Sequence, residues 1–173
     1  HLGLNDIHSL EDLSRVKSVV VDSVKPDGWA VLNAEDENCV KIGNSLSCNV
    51  AYFSLNEDCP VIKEHCEDGG VAAIYENGFI TIKKGDWKIR IERATLIPLT
   101  MNGKALFNIA NVLAATLAAY LQGFKTEGIR LSLSTFLPSA AQTPGRLNVF
   151  EFSKFKFMID FAHNPSSYRG IET

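Results

Sequence analysis

Residues 142–165 read QTPGRLNVFEFSKFKFMIDFAHNP, and three side chains in this stretch carry chemistry. Arg146 stands in a Pro-Gly-Arg turn, and Asp160 and His163 follow at the end of a strand-like run. A guanidinium matches phosphate oxygens, and a carboxylate at the carboxyl end of a strand matches ribose hydroxyls. Together they would make a nucleotide grip. Arg146 could equally form a salt bridge that fixes the turn, and Asp160 could cap a helix starting near Pro165. Asn108 and Asn111, at i and i+3 near the start of an apolar helix, form a second pair. Two carboxamides on one helix face offer donor and acceptor pairs to a flat heterocycle such as adenine. The alternative for Asn108 is a helix N-cap.

Two further residues suit a metal. Lys17 lies at the edge of an apolar helix stripe, where partial burial would favour the neutral amine. Such an amine can be carbamylated and then behaves as a carboxylate toward a cation; the alternative is a snorkelling lysine. His1 could ligate through its imidazole. His8 and His65 have no partner pattern and read as surface residues. Cys39, Cys48, Cys59 and Cys66 form no CxxC pair, so neither a zinc site nor a disulfide framework is expected, and reduced thiols in a cytosolic protein are.

These residues need a folded frame, and the composition supplies one. The chain has 173 residues, 46% hydrophobic and 21% charged, enough for one domain or one domain and part of another. A net charge of -3 with no basic patch argues against nucleic acid as a partner. No apolar run is long enough to span a membrane. The start at His1, without Met or a secretory signal, suggests a piece of something longer.

The elements follow from periodicity and punctuation. SLED at 9–12 is a capping box with Ser9 as N-cap and Asp12 three residues on. A helix is predicted to about Val24, with Leu10, Leu13, Val16, Val20 and Val24 on one face. WAVL at 29–32 and NVAYFS at 49–54 read as short buried strands separated by a polar segment. VAAIY at 71–75, then NG, then FITIK at 79–83 is a hairpin. A second turn leads to WKIRIE at 87–92, which completes a three-stranded antiparallel meander with one wet face. A nearly apolar helix is expected at 107–121 and another at 126–133. Residues 137–145 form the linker candidate. Runs at 147–152 and 155–159 open a new sheet.

HLGL, LEDLSRVKSVVVDSVKPDG, AVLNAED, FNIANVLAATLAAY, QTPGRLN and DFAHNP, in this order, resemble the Mur ligase superfamily. AYFSLNED, GGVAAIYENG and TFLPSAAQTPGR are most similar to the Mur-ligase-like half of the cyanophycin synthetases. The resemblance covers nearly the whole chain. It implies an α/β fold: the second part of a central ATP-binding domain over 1–141, with a parallel sheet, helices and a small antiparallel three-stranded sheet. Residues 142–173 would begin a Rossmann-like C-terminal domain, with 137–145 as the hinge between them.

The resemblance also implies an ATP- and Mg2+-dependent carboxylate–amine ligase working through an acyl phosphate. In the cyanophycin branch it joins arginine to the side-chain carboxylates of poly-aspartate. The parent would be a cytoplasmic homo-oligomer. Carried over, His1 and a carbamylated Lys17 match the metal-binding positions, Asn108 and Asn111 the adenine contacts, Arg146 the phosphate-reaching arginine and Asp160 the ribose aspartate. His163 belongs to the same loop. Phe161 stands where many relatives have Tyr. The 173 residues contain no GxxxxGK[ST] phosphate loop, so the chain alone is expected to be inactive. Two other readings stand beside this one: another Mur-type ligase acting on a peptide or folate-like substrate, and a non-catalytic nucleotide-binding or interaction module.

Overall fold

The structure, a computed structural model, describes Gly3, residues 7–163, Ser167, Tyr168 and Gly170. His1 lies outside the described residues. The described elements form a three-layer α/β arrangement around a five-stranded sheet of order β1-β2-β3-β4-β5, plus a separate two-stranded hairpin.

The helix α1 (Leu10–Asp22) starts as its capping box requires: Ser9 Oγ accepts the Asp12 N–H at 3.0 Å, and Asp12 Oδ2 accepts the Ser9 N–H at 3.0 Å. β1 (Trp29–Asn33) pairs in parallel with β2 (Asn49–Ser54), and β2 pairs in parallel with β3 (Val71–Glu76). β3 turns into β4 (Phe79–Lys84) through Asn77 and Gly78, both with positive φ, the conformation that matches hairpin twist. β5 (Trp87–Arg93) returns antiparallel to β4.

The meander is therefore joined to the parallel strands through β3 and does not stand as a small sheet of its own. Its expected wet face is also confined to β5. β3 is buried along most of its length because the long helix α4 (Leu106–Leu121) covers one face and α3 (Pro60–Glu67) the other. An inner strand covered on both sides selects the continuous apolar run seen in VAAI.

Two helices lie where no element is expected from the sequence, one in the polar segment between β1 and β2 and one between β2 and β3. α2 (Glu37–Gly43) is capped by Asp36, whose Oδ1 accepts the N–H groups of Asn38 at 2.8 Å and Cys39 at 3.2 Å. α3 begins with Pro60 in its first turn, where the missing N–H costs nothing. Each face of the sheet thus has its own core. Ala51, Ala73, Ile80 and Ile82 pack under Ile109, Leu113 and Leu117 of α4. Ala30, Tyr52, Ala72 and Ile74 pack with Cys59, Ile62 and Cys66.

α1 departs from expectation. None of its residues is buried, and Leu10, Val16 and Val20 are more than half exposed. The helix packs chiefly on α2, and Val21 is its residue packed against the core below. Lys17 is accordingly exposed, without the partial burial its position suggested. His65 is corrected in the other direction: its ring meets Tyr52 edge-on with centroids 5.0 Å apart, and its Nε2 is buried.

Behind α4, α5 (Thr126–Thr135) packs on β5, where Arg130 Nε donates to the Ile91 carbonyl at 2.6 Å. An extended segment then leads to the antiparallel hairpin of β6 (Asn148–Glu151) and β7 (Lys156–Ile159).

Candidate nucleotide site

One wall of the site is the start of α4. Its N-cap is Ala105, which offers no side-chain acceptor, so Asn108 is not the cap. Asn108 is instead buried, and its Nδ2 donates to the Leu99 carbonyl at 2.8 Å. Asn111 is exposed, and its Nδ2 approaches Asn108 Oδ1 at 3.4 Å. The two carboxamides thus sit side by side, one locked by backbone and one open to a ligand.

The opposite wall is the turn before β6. Gly145 and Leu147 both take positive φ, +69° and +48°, on either side of Arg146. Asp160 Oδ1 accepts the Leu147 N–H at 2.9 Å, which ties the end of β7 to this turn. Arg146 is exposed, with its guanidinium carbon 5.6 Å from the centroid of the Phe161 ring. Among the described residues it has no ion-pair partner, so the salt bridge weighed for this position is not formed. A charged group held over an aromatic face, without a carboxylate, remains available to an anion.

Between these walls lies a cavity of about 590 Å³ whose lining includes Asn108, Asn111, Arg146 and Asp160. Four residues singled out from sequence therefore converge on one volume of the size that holds a nucleotide-sized molecule. Leu99, Phe107 and Thr143 also line it. Phe107 precedes Asn108 at the helix start and could have been found by asking which aromatic would stack on a base held there. Thr143 sits just before the Pro-Gly-Arg turn. Leu99 carries no signal in the sequence, because it contributes through its position under Asn108.

Two other candidates lie elsewhere. His163 is exposed, with Nδ1 3.0 Å from the Phe161 carbonyl oxygen, and is not among the described residues lining the cavity. Lys17 lies on α1 near Cys39, likewise apart from the lining. Among the described residues, no three His, Cys, Asp or Glu side chains converge as a metal site.

No protein-family model matches the chain. Individual proteins do. The chain is 50% identical over 171 residues to a cyanophycin synthetase of Trichormus variabilis, covering 99% of this chain and 19% of that protein. It is 48% identical to a cyanophycin synthetase of Synechocystis sp., covering 99% of this chain and 20% of that protein. It is 27% identical to the UDP-N-acetylmuramate–L-alanine ligase of Acetivibrio thermocellus, over 92% of this chain and 32% of that protein. The chain thus spans about a fifth of the length of the cyanophycin synthetases it matches.

Among solved structures, MurF from Acinetobacter baumannii superposes with a TM-score of 0.61 at 20% identity. The match covers 92% of this chain and 32% of that one. A murein peptide ligase from Psychrobacter arcticus gives a TM-score of 0.59 at 16% identity, over 92% and 31%. Sequence over nearly the whole chain and fold over nine-tenths of it converge: the chain is homologous to a segment of the cyanophycin synthetases, and Mur ligases are its neighbours in sequence and in fold.

Proposed function

We propose that this chain forms half of the ATP site of an ATP-dependent carboxylate–amine ligase of cyanophycin-synthetase type. The observation that carries the reading is the convergence of Asn108, Asn111, Arg146 and Asp160 on one cavity. In this reading the adenine lies against Asn111 and Phe107, with Asn108 held in place behind by Leu99. The ribose hydroxyls donate to Asp160, whose Oδ2 is left for them when Oδ1 takes the Leu147 N–H. Arg146 reaches the phosphates and neutralises charge there, the kind of electrostatic positioning that dominates phosphoryl transfer.

ATP supplies the phosphoryl group that activates a carboxylate, so that an amine can displace phosphate and leave an amide. The proposed carboxylate is an aspartate side chain of a poly-aspartate backbone and the proposed amine is that of arginine, following the similarity to cyanophycin synthetases. Residues 1–141 are assigned to the central domain and 142–173 to the start of the C-terminal domain, with 137–145 as the hinge that lets the two walls close. The 173 residues hold no phosphate-cradling loop, so the chain by itself is proposed to be inactive.

The described residues alone do not assemble a set of ligands for magnesium. Lys17, exposed and open to carbon dioxide, is kept as a candidate carbamate. Mass spectrometry of the intact parent in bicarbonate should show the added carboxylate on Lys17; an unmodified lysine removes that role.

The test of the main reading is Arg146→Ala in the intact parent. ATP-dependent phosphate release and arginine incorporation should fall by about 10²-fold, the scale of losing one preorganised charge contact, while the melting temperature holds. An unchanged rate sinks the reading.

A further inference from the structure

We propose that Asn148 is a positioning residue for Arg146. This rests on the reading of Arg146 as the phosphate contact and extends it to a residue that is not among those lining the cavity. Asn148 is the first residue of β6 and is only 6% exposed. Its carboxamide is spent entirely on the preceding turn. Oδ1 accepts the Gly145 N–H at 2.8 Å, and Nδ2 donates to the Thr143 carbonyl at 3.0 Å and the Arg146 carbonyl at 3.3 Å.

These three bonds hold the backbone from Thr143 through Arg146. The turn they hold has left-handed backbone at Gly145 and Leu147, a geometry that chain propensity disfavours at Leu and that needs outside support. The Arg146 N–H closes the turn onto the Thr143 carbonyl at 3.1 Å, but its side chain brings no support, because the exposed guanidinium lies over the Phe161 ring. The direction in which the arginine leaves the backbone is therefore set by the turn, which Asn148 holds on the Thr143–Arg146 side and Asp160 at Leu147. A buried side chain whose every hydrogen bond goes to one loop is what preorganisation of a binding group requires.

A double-mutant cycle in the intact parent decides it, with kcat and KM for ATP measured beside thermal melting. Asn148→Ala should lower kcat/KM for ATP by about tenfold. In an Arg146→Ala background the same change should cost less than about twofold, because residues acting through one group are not additive. Asn148→Asp keeps the acceptor for Gly145 but sets an oxygen against two carbonyls, and should be at least as damaging as Asn148→Ala. Independent, multiplying losses overturn the proposal, as does an unchanged kcat/KM in Asn148→Ala. Failure of both variants to fold also overturns it, by assigning Asn148 to folding. A silent Arg146→Ala instead sinks the reading of the site itself, which keeps the two failures apart.

Discussion

The Leu147 N–H donates to Asp160 Oδ1 at 2.9 Å, and Leu147 holds φ at +48°. Left-handed backbone at a residue with a Cβ costs about 1–2 kcal/mol, and this bond is one of the contacts that sustain it. Asp160 is thereby committed on one oxygen to the turn and free on the other for a ligand. Asp160→Asn retains a carbonyl oxygen for Leu147 but removes the charge offered to a ribose. In the intact parent it should raise KM for ATP by roughly tenfold, the loss of a charge-assisted hydrogen bond, without lowering the melting temperature. Asp160→Ala removes both contacts and should lower stability as well. Equal effects of the two variants on KM and on melting would contradict this division of labour.

Asn108 and Asn111 should separate in the same manner. Asn108 is buried and satisfies the Leu99 carbonyl. Asn108→Ala leaves that carbonyl unpaired, a cost of about 1–3 kcal/mol, and should weaken ATP binding too. Asn111 is exposed, so Asn111→Ala should change stability by less than about 0.5 kcal/mol and act on ATP binding alone. Chemical denaturation and nucleotide titration of the two variants, side by side, check the contrast.

Much of this frame was legible in the sequence, for physical reasons. The capping box at Ser9 and Asp12 and the Asn77-Gly78 turn depend on local geometry, so local sequence suffices to place them. α4 is apolar nearly all round because it spans four strands of the sheet, and its bounds differ from the predicted 107–121 by one residue. α2 and α3 were hidden because seven and eight residues allow only two turns, too few for a period to show. α1 misled in the opposite way: its stripe of Leu10, Val16 and Val20 has the spacing of a buried face but lies open. Periodicity records that a face is apolar and cannot say what covers it. The cavity lining was legible where the chemistry is side-chain chemistry, as at Arg146 and Asp160. It was invisible where a backbone group does the holding, as at Leu99.

The core under α4 gives a direct stability test. Leu113 is fully buried among the sheet residues Ala51, Ala73 and Ile82. Leu113→Ala should cost about 2–5 kcal/mol, the range for a buried leucine whose surroundings collapse only partly. Val20→Ala, on the open face of α1, should cost less than about 0.5 kcal/mol. Urea unfolding of both variants measures the difference; similar losses would mean that α1 is packed more tightly than its exposure indicates.

His65 makes the fold sensitive to acid. Burial holds its imidazole below the ordinary value of 6.5, because the charged ring would lie against Tyr52 and under Gly70. A lowered pKa in the folded state means that the unfolded chain binds the proton more readily. Stability from this residue is therefore full above pH 6.5 and falls as the pH drops from there toward the lower folded value. The imidazole resonance of His65 should titrate with a midpoint below 6.5, and the melting temperature should fall as the pH drops below 6.5. The same packing forbids a side chain at Gly70, where a Cβ would lie 2.2 Å from His65 Nε2. Gly70→Ala must push the ring outward, so it should both destabilise the fold and move the His65 midpoint up toward 6.5 as the ring regains water. A Gly70→Ala chain with an unmoved midpoint would show that the ring is held by something other than this contact.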